Sequence, residues 1–410
     1  MSFLRHWRIR LKLLLLLLIV GILPSVVLGG LTFWIFRGIM ADQATTNLYN
    51  RSIATAEAID QYLKDRRNDI VIASQLADFA LYLANRDDPI NTQTALYLLR
   101  NFASRPDYES VAILDTTGKI VLSSLAVDLN ADMSTHPAFS EPMRGVMGYI
   151  SDPGVSPITN RPAIFFSAPI RDIRGAIVGV LVARLSLGGI WSLVERDKDV
   201  VGSGSYGLLL DENGIRIANS LSLGRREEME GSLQLFSAVA RLSPEVERAL
   251  MTERRFGPAW VAGVQVVPIP EVARALATPG TRIFETSSDN NPERNLAALA
   301  NLTSKPWRYV IMAPFSSFFG EIEFWATINW LMLLLLVLVI ILVSFAVART
   351  FTEPIRQLTQ VADRISLGDL NVTIDVDRRD EIGELAEAIA RMQESLQAAI
   401  ERLRARRTSS

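Results

Sequence analysis

Two uncharged apolar runs, Leu13–Phe36 and Phe324–Ala348, bracket a long polar middle, and a short charged segment follows the second run. Each run can cross roughly 30 Å of hydrocarbon as a helix. No charge breaks either one, so the middle lies on one side of a membrane and the two ends lie on the other. The flanking charges choose an orientation. Arg5, Arg8, Arg10 and Lys12 precede the first run, and Arg349 and Arg356 follow the second; Arg37, Glu321 and Glu323 stand at the opposite ends. The excess of cations at the outer ends of the pair predicts both termini in the cytoplasm and residues 37–323 outside. Trp34, Trp325 and Trp330 suit the interfacial belt on the outer side. The first run exceeds a signal-peptide core and lacks a small-x-small cleavage site, so it is read as a retained helix. Pro24 and the Gly29-Gly30 pair are candidate kink points.

The formal charge of −2 offers no basic field for nucleic acid, and the local basic ends sit where anionic lipid would lie. The chain has no cysteine, which excludes disulfides, thiolate metal sites and a cysteine nucleophile. With only His6 and His136 present, neither a histidine metal cluster nor a Ser-His-Asp triad is expected outside, and no metal or cofactor is predicted.

Within 37–323 the first half of the pattern is helical. Ile59, Leu63, Ile70, Ala73, Ala77 and Leu81 recur at helical spacing, and no Gly or Pro interrupts 39–88. One helix over 38–85, roughly 70 Å long, is predicted, ending at Asp87-Asp88-Pro89, with a second over about 91–104. Strands follow. Tyr108–Asp115 and Lys119–Ser124 form a hairpin about Asp115-Thr116-Thr117-Gly118. Gly148–Ser151, Ala163–Pro169 and Ala176–Leu185 complete a five-stranded antiparallel sheet, a PAS-like α+β module. The segment "LLLDENGIRIANS" (208–220) repeats the hairpin grammar of "AILDTTGKIVLSS" (112–124). Two tandem modules are therefore expected, about 90–200 and about 201–318, the second closing with Trp307–Pro314. Residues 221–300 are mixed, with a helix over 243–254 and an exposed loop over Ser287–Asn291.

Past Thr352 the pattern sharpens. Ile355, Leu358, Ala362 and Ile365 make one amphipathic helix that stops at Gly368-Asp369-Leu370. Val372, Ile374 and Val376 alternate along a connector. Ile382, Leu385, Ile389, Met392, Leu396, Ala399 and Leu403 make a second helix. Neither seam can be buried by one hairpin alone, so a parallel dimer forming a four-helix bundle is predicted, against the alternative of a hairpin lying on the membrane. Pro354-Ile355, Gly368-Asp369-Leu370 and Asp380-Glu381-Ile382-Gly383 together resemble the HAMP linker of bacterial transmembrane receptors, over about 349–403. The resemblance implies signal relay through Pro354, Gly368 and Glu381. Where that family often has Phe-Asn before its Met, this chain has Ile389-Ala390 before Arg391-Met392.

The long leading helix, the first hairpin, His136-Pro137-Ala138-Phe139 through Tyr149-Ile150-Ser151, and "RPAIFFSAPIRDIRGAIVGVLVARL" (161–185) are similar to a double Cache sensor domain. That resemblance implies an α+β membrane protein with tandem PAS-like Cache modules on a helical stalk, binding small molecules in the membrane-distal module. The Arg-x-Trp-Tyr cluster of its amino-acid-binding version is absent, since the matching stretch reads Phe139-Ser140-Glu141-Pro142-Met143-Arg144. Asp172 does fall where that version places its amine-binding Asp. Candidate ligand residues are His136, Phe139, Arg144, Tyr149, Ser151, Asp152, Arg161, Phe165, Ser167 and Asp172. They offer aromatic walls, guanidinium forks for a carboxylate and carboxylates for an amine. Each has a plainer reading: Tyr149 and Phe165 as core, Arg144 and Arg161 as solvated loop charges, Asp172 as a turn cap.

No phosphate loop, kinase motif set or other catalytic constellation is visible, so the chain is not read as an enzyme. The expectation is a dimeric receptor of the bacterial inner membrane. It would sense an external small molecule and act on a cytoplasmic kinase, cyclase, phosphatase or chemotaxis-type protein. The alternatives are an envelope enzyme or scaffold held by two membrane helices, or the sensor part of a longer chemoreceptor, histidine kinase or cyclase.

Overall fold

The computed structural model describes residues 9–222, 234–257, 263–288, 291–374 and 378–408. The chain divides into two compact units: residues 39–320, and residues 1–38 together with 321–410.

Helix α1 (Ile9–Ser74) carries the first apolar run and continues without interruption into the globular unit. There its stripe Leu48, Ile59, Leu63, Ile70 and Ala73 is wholly buried. The predicted stripe stops holding at that point. The helix ends at Ser74, and α2 (Ala77–Ala84) restarts after an extended Leu76. The break resets the helical phase, so Ala77 and Leu81 are exposed while Phe79 and Tyr82 are buried. Neither Gly nor Pro marks the break. Packing of Phe79 and Tyr82 under the sheet overrides local helix propensity, and Ser74 Oγ turns back to the Val71 carbonyl at 2.8 Å. Helix α3 (Pro89–Ala103) starts as expected, with Asp88 accepting from the Ile90 N–H at 2.9 Å.

The first sheet contains β1 (Tyr108–Leu114), β2 (Ile120–Ser123), β3 (Tyr149–Ile150), β4 (Gly154–Val155), β5 (Pro162–Arg171) and β6 (Ile177–Ser186). Its order is β2-β1-β6-β5-β3, with β4 beside β5. The short β4 is an addition to the five strands predicted. Helix α4 (Pro137–Met143) crosses one face of this sheet, and α5 (Gly188–Glu195) follows it. The second sheet contains β7 (Tyr206–Leu210), β8 (Arg216–Asn219), β9 (Ile283–Ser288), β10 (Asn291–Asn301) and β11 (Arg308–Pro314), in the order β8-β7-β11-β10-β9. With β4 set aside, each sheet reads second-first-fifth-fourth-third in its own numbering, and every pairing is antiparallel. The repeat seen in the two hairpin sequences is thus a repeat of whole topology.

The middle of the second module departs from expectation. Helix α6 (Pro244–Thr252) lies where a helix was predicted. Helix α7 (Pro270–Ala277) was not anticipated, and of the loop expected over Ser287–Asn291 the described residues Ser287, Ser288 and Asn291 are strand residues, with Ser288 paired to Asn291 between β9 and β10. Only residues 289 and 290 of that stretch lie outside the described residues. Polar composition misleads here, because Arg294 and Glu285 sit on an exposed strand face that needs no apolar alternation.

Both sheets lay one face on the α1 stripe. Ile113, Phe166 and Leu181 of the first and Leu209, Ala298 and Ile311 of the second join Ile59, Leu63 and Ile70 in one core. Polar clamps fix the register of the helix. Asp60 accepts from the Thr303 and Ser304 N–H groups at 2.6 and 2.8 Å, which holds its carboxyl below the usual range against the opposing effect of burial. Buried Asp197 accepts from Thr55 Oγ1 at 2.6 Å and Tyr309 Oη at 2.5 Å, and pairs with Arg51.

In the other unit, α8 (Phe315–Val347) carries the second run, and both α1 and α8 are long and apolar enough to cross a membrane. Gly21, Ser25 and Gly29 recur every four residues on α1. A Cβ added at Gly21 would meet Ile340, and one at Gly29 would meet Asn329, so small residues allow close helix approach. After a π-turn over Ala348–Thr352 come α9 (Glu353–Ser366) and α10 (Glu381–Thr408). Gly368 has φ +94° and ends α9, with the Asp369 N–H reaching the Arg364 carbonyl at 3.0 Å. Leu358, Ile365, Ile382 and Ala386 are buried, whereas Ile355, Leu385, Met392 and Leu396 remain exposed. Val376 lies outside the described residues.

Replacing Asp197 by Ala strands the Arg51 guanidinium and two buried hydroxyls. Loss of stability on the order of 2–4 kcal/mol is expected in denaturant unfolding of the purified chain. A change below about 0.5 kcal/mol would show the clamp to be idle.

Candidate ligand-binding site

Strand alternation gives the first sheet a second face, turned away from α1. It presents Ala112 and Leu114 of β1, Val180 and Val182 of β6, and Ala163 and Phe165 of β5, covered by Phe139 and Ala138 of α4. Cross-strand register places Ser167 between Val182 and Tyr149, and Phe165 opposite Arg184. This face therefore mixes apolar walls with a few buried polar groups, the composition of a small-molecule pocket.

Four of the predicted residues gather here. His136 caps α4, its Nδ1 accepting from the Ala138 N–H at 3.1 Å, so the neutral ring carries its proton on Nε2. Its ring meets Phe165 edge-on at 4.8 Å, and burial lowers its pKa from 6.5 to about 4. Phe139 and Phe165 are buried beside it. Ser167 is 0% exposed, and its Oγ has no partner among the described residues. Tyr149 flanks the face, its phenol pushed up to about 12 by burial and then by the Asp152 charge.

The remaining predicted residues take other positions. Ser151 ties strands together, accepting from the Phe165 N–H at 2.9 Å. Arg144 is exposed and pairs with Glu141 at 2.6 Å, and Arg161 is exposed at the start of β5. Asp172 Oδ1 accepts from the Arg174 and Ala176 N–H groups at 2.9 and 2.8 Å, closing the β5–β6 turn. Asp152 turns toward the second module. It accepts from Lys305 Nζ at 2.9 Å and Trp307 Nε1 at 3.2 Å. Burial pushes its carboxyl up, but Lys305 and Arg255 outweigh this and hold it below the usual range.

Asp152 belongs to a seam joining the modules. Arg255 donates from Nε to the Pro153 carbonyl at 2.9 Å and pairs with buried Asp211 at 2.9 Å. The Val155 N–H reaches the Arg255 carbonyl at 2.7 Å, and a Cβ on Gly154 would collide with that same oxygen. Glycine is thus demanded by close backbone approach.

Sequence reading misses Arg184 and Asp128. Arg184, 2% exposed, pairs with buried Asp128 at 2.8 Å and with Glu109 at 3.2 Å, while its Nη2 has no partner among the described residues. The available signal is an arginine within the apolar strand IVGVLVARLS, where a cation needs a partner. Asp128 comes from the loop after β2 and carries no such signal. On the equivalent face of the second module Leu208, Leu210, Val310 and Met312 pack against Val272 and Ala275 of α7; buried Arg216 lies opposite Leu210 on that face and donates to Ser237 Oγ and to the Val267 carbonyl, each at 2.8 Å.

Because the folded form resists the proton on His136 that an unfolded chain accepts near pH 6.5, stability is full above that pH and falls as pH drops toward 4. His136→Asn keeps a capping acceptor and removes the titration. Its melting temperature should fall less between pH 7 and 4.5 than that of the parent; parallel curves would refute the assignment.

Comparison with known proteins agrees with this architecture. A Cache domain family model matches residues 36–322, and a HAMP domain model matches 346–398. The sensor domain of the V. cholerae histidine kinase DctB superposes with a TM-score of 0.51 at 13% identity, covering 68% of this chain and 98% of that one. The ligand-binding domain of the Pseudomonas fluorescens chemoreceptor CtaA, in complex with L-leucine, gives 0.45 at 14% identity over 69% and 99%. At 13% identity the likeness to the DctB domain is one of fold. Methyl-accepting chemotaxis protein McpQ of Pseudomonas putida is 38% identical over 55 residues, 13% of this chain and 9% of that protein. McpA of Bacillus subtilis is 41% identical over 59 residues, 14% and 9%. These matches fall on the HAMP region, and the chain spans less than a tenth of either relative in them.

Proposed function

This chain belongs to the Cache domain family, and from that premise we propose that it is a transmembrane sensory receptor whose first module binds a small external molecule. The carrying observation is that two buried polar atoms on one face of the first sheet, Ser167 Oγ and Arg184 Nη2, have no partner among the described residues. A buried orphan costs on the order of 1–3 kcal/mol, which a ligand's acceptor atom recovers. His136 Nε2–H adds a third donor. The charge of Arg184 is already offset by Asp128 and Glu109, so the face calls for neutral acceptors, such as carbonyl or hydroxyl oxygens, more than for a free anion. Asp172, Asp152 and Arg144 have partners of their own, which leaves amine or carboxylate recognition by them without support.

Relay follows from connectivity. Ligand contact at β5 and α4 displaces the neighbouring Asp152 loop; Lys305 and Trp307 carry this to β11, which passes directly into α8. Both termini then lie in the cytoplasm, where the helices after α8 act on a kinase or chemotaxis-type partner. The exposed seam residues Ile355, Leu385, Met392 and Leu396 support a homodimer, since a second copy would cover them. Pro354, Gly368 and Glu381 are the proposed relay positions: Pro354 starts α9, Gly368 ends it and Glu381 opens α10.

A thermal-shift screen of the full chain in lipid nanodiscs should find an acceptor-bearing metabolite that raises the melting temperature. Ser167→Ala should weaken that ligand about three- to tenfold with little change in the unliganded melting temperature. Unaltered affinity would move the site elsewhere. For the dimer, the chain's lack of cysteine allows a clean test: Leu385→Cys should cross-link on mild oxidation in membranes, and Glu387→Cys should not. Equal cross-linking of both would contradict the seam.

A further inference from the structure

We infer that Arg378 is a positioning residue that straps the start of the second bundle helix to the end of the membrane helix, standing in for a hydrogen bond that Pro354 cannot make. In an α-helix the N–H of residue 354 would donate to the carbonyl of residue 350, but proline has no N–H. The helix widens into a π-turn over Ala348–Thr352 just before this proline, as expected where the regular ladder is broken. Arg378 Nη1 donates to the Thr350 carbonyl at 2.6 Å. The arginine comes from the far side of the connector, twenty-eight residues along the chain.

The same guanidinium is held in place from behind. Arg378 Nε and Nη2 both donate to Asp380, at 3.0 and 2.6 Å to Oδ2. Asp380 also caps α10, its Oδ1 accepting from the Gly383 N–H at 3.2 Å. A Cβ on Gly383 would collide with the Arg378 carbonyl, so the glycine lets the strap's backbone lie against the helix start. Thr350, Arg378, Asp380 and Gly383 thus form one chain of contacts, from the end of the membrane helix to the first turn of α10. Two further donors fasten the other end of the connector: Gln393 Nε2 reaches the Leu370 and Val372 carbonyls at 2.7 and 3.0 Å, and Gln397 Nε2 reaches Leu370 at 2.7 Å.

The consequence rests on the relay reading. A slide or rotation of the membrane helix moves the Thr350 carbonyl. A strap that is made in one position and broken in the other converts that movement into a displacement of α10. Only a planar fork can hold Asp380 and Thr350 together, so lysine at 378 serves one partner at a time.

The test is amide hydrogen exchange by mass spectrometry on the full chain in lipid nanodiscs, read over peptides spanning 348–358. Arg378→Ala should speed exchange there about tenfold, the loss of one charge-assisted hydrogen bond, and Arg378→Lys by less. Pro354→Ala restores the missing donor. In that background Arg378→Ala should have little further effect. Equal acceleration with and without Pro354→Ala would overturn the inference, as would unchanged exchange in Arg378→Lys and Arg378→Ala alike. Failure of the relay reading looks different: the exchange pattern would hold while the Arg378 variants left ligand-dependent output untouched.

Discussion

One apolar stripe on one helix holds the globular unit together. Leu48, Ile59, Leu63, Ile70 and Ala73 run along α1, and the inner faces of both sheets close over them. Neither module could bury that face alone, since a sheet with one apolar side must find a second layer. Sharing a single helix gives both the same layer and makes them one core. A stripe of small and branched apolar side chains does not by itself fix axial position. Asp60 on the helix supplies that register by accepting from the β10–β11 turn, and Asp197, which follows α5, adds to it by joining Arg51 and Thr55 of the helix to Tyr309.

The two modules share a topology and differ in what their outer faces bury. In the first, Arg184, Asp128 and Ser167 are buried polar residues, and Arg184 Nη2 and Ser167 Oγ have no partner among the described residues. In the second, α7 covers leucine, valine and methionine, and the buried Arg216 of that face is engaged by Ser237 and Val267. Buried polar groups cost stability unless satisfied; Arg216 of the second module is held by Ser237 and the Val267 carbonyl, whereas Ser167 Oγ and Arg184 Nη2 of the first have no partner among the described residues. The seam through Asp152, Lys305, Trp307, Arg255 and Asp211 then ties that face to the strand that becomes α8. It is built of charge-assisted contacts and a backbone approach closed by Gly154, which tolerate little slack.

The helical segments after α8 obey a similar economy. Proline, glycine and aspartate stand where backbone rules require them: Pro354 in the first turn of α9, Gly368 in the left-handed region, Asp380 as a cap. Their apolar seam is only partly covered within one chain, with Leu358 and Ile382 buried and Leu385 and Met392 open.

Much of the architecture was legible from periodicity. Membrane-length runs, the hairpin turns at Gly118 and Gly214, the strand ends and the heptad spacing are all local patterns, and local patterns survive folding. The site was legible only in part. His136, Phe139, Phe165 and Ser167 lie together because they flank or lie on strands of one alternating face. Asp152 and Asp172 do not join them, since a carboxylate in a loop takes whichever donors the fold brings near. The helix break at Ser74 was invisible because it follows from where Phe79 must pack, and the β9–β10 hairpin because its exposed strands carry no apolar alternation. Spacing and backbone sterics thus settled most of the helices and strands and the two runs of membrane-spanning length. Tertiary structure alone decided which polar groups meet: Arg184 with Asp128, Arg255 with Asp211, and Arg378 with the Thr350 carbonyl are separated by tens of residues. Electrostatic partners are chosen by proximity in space, which no periodicity encodes.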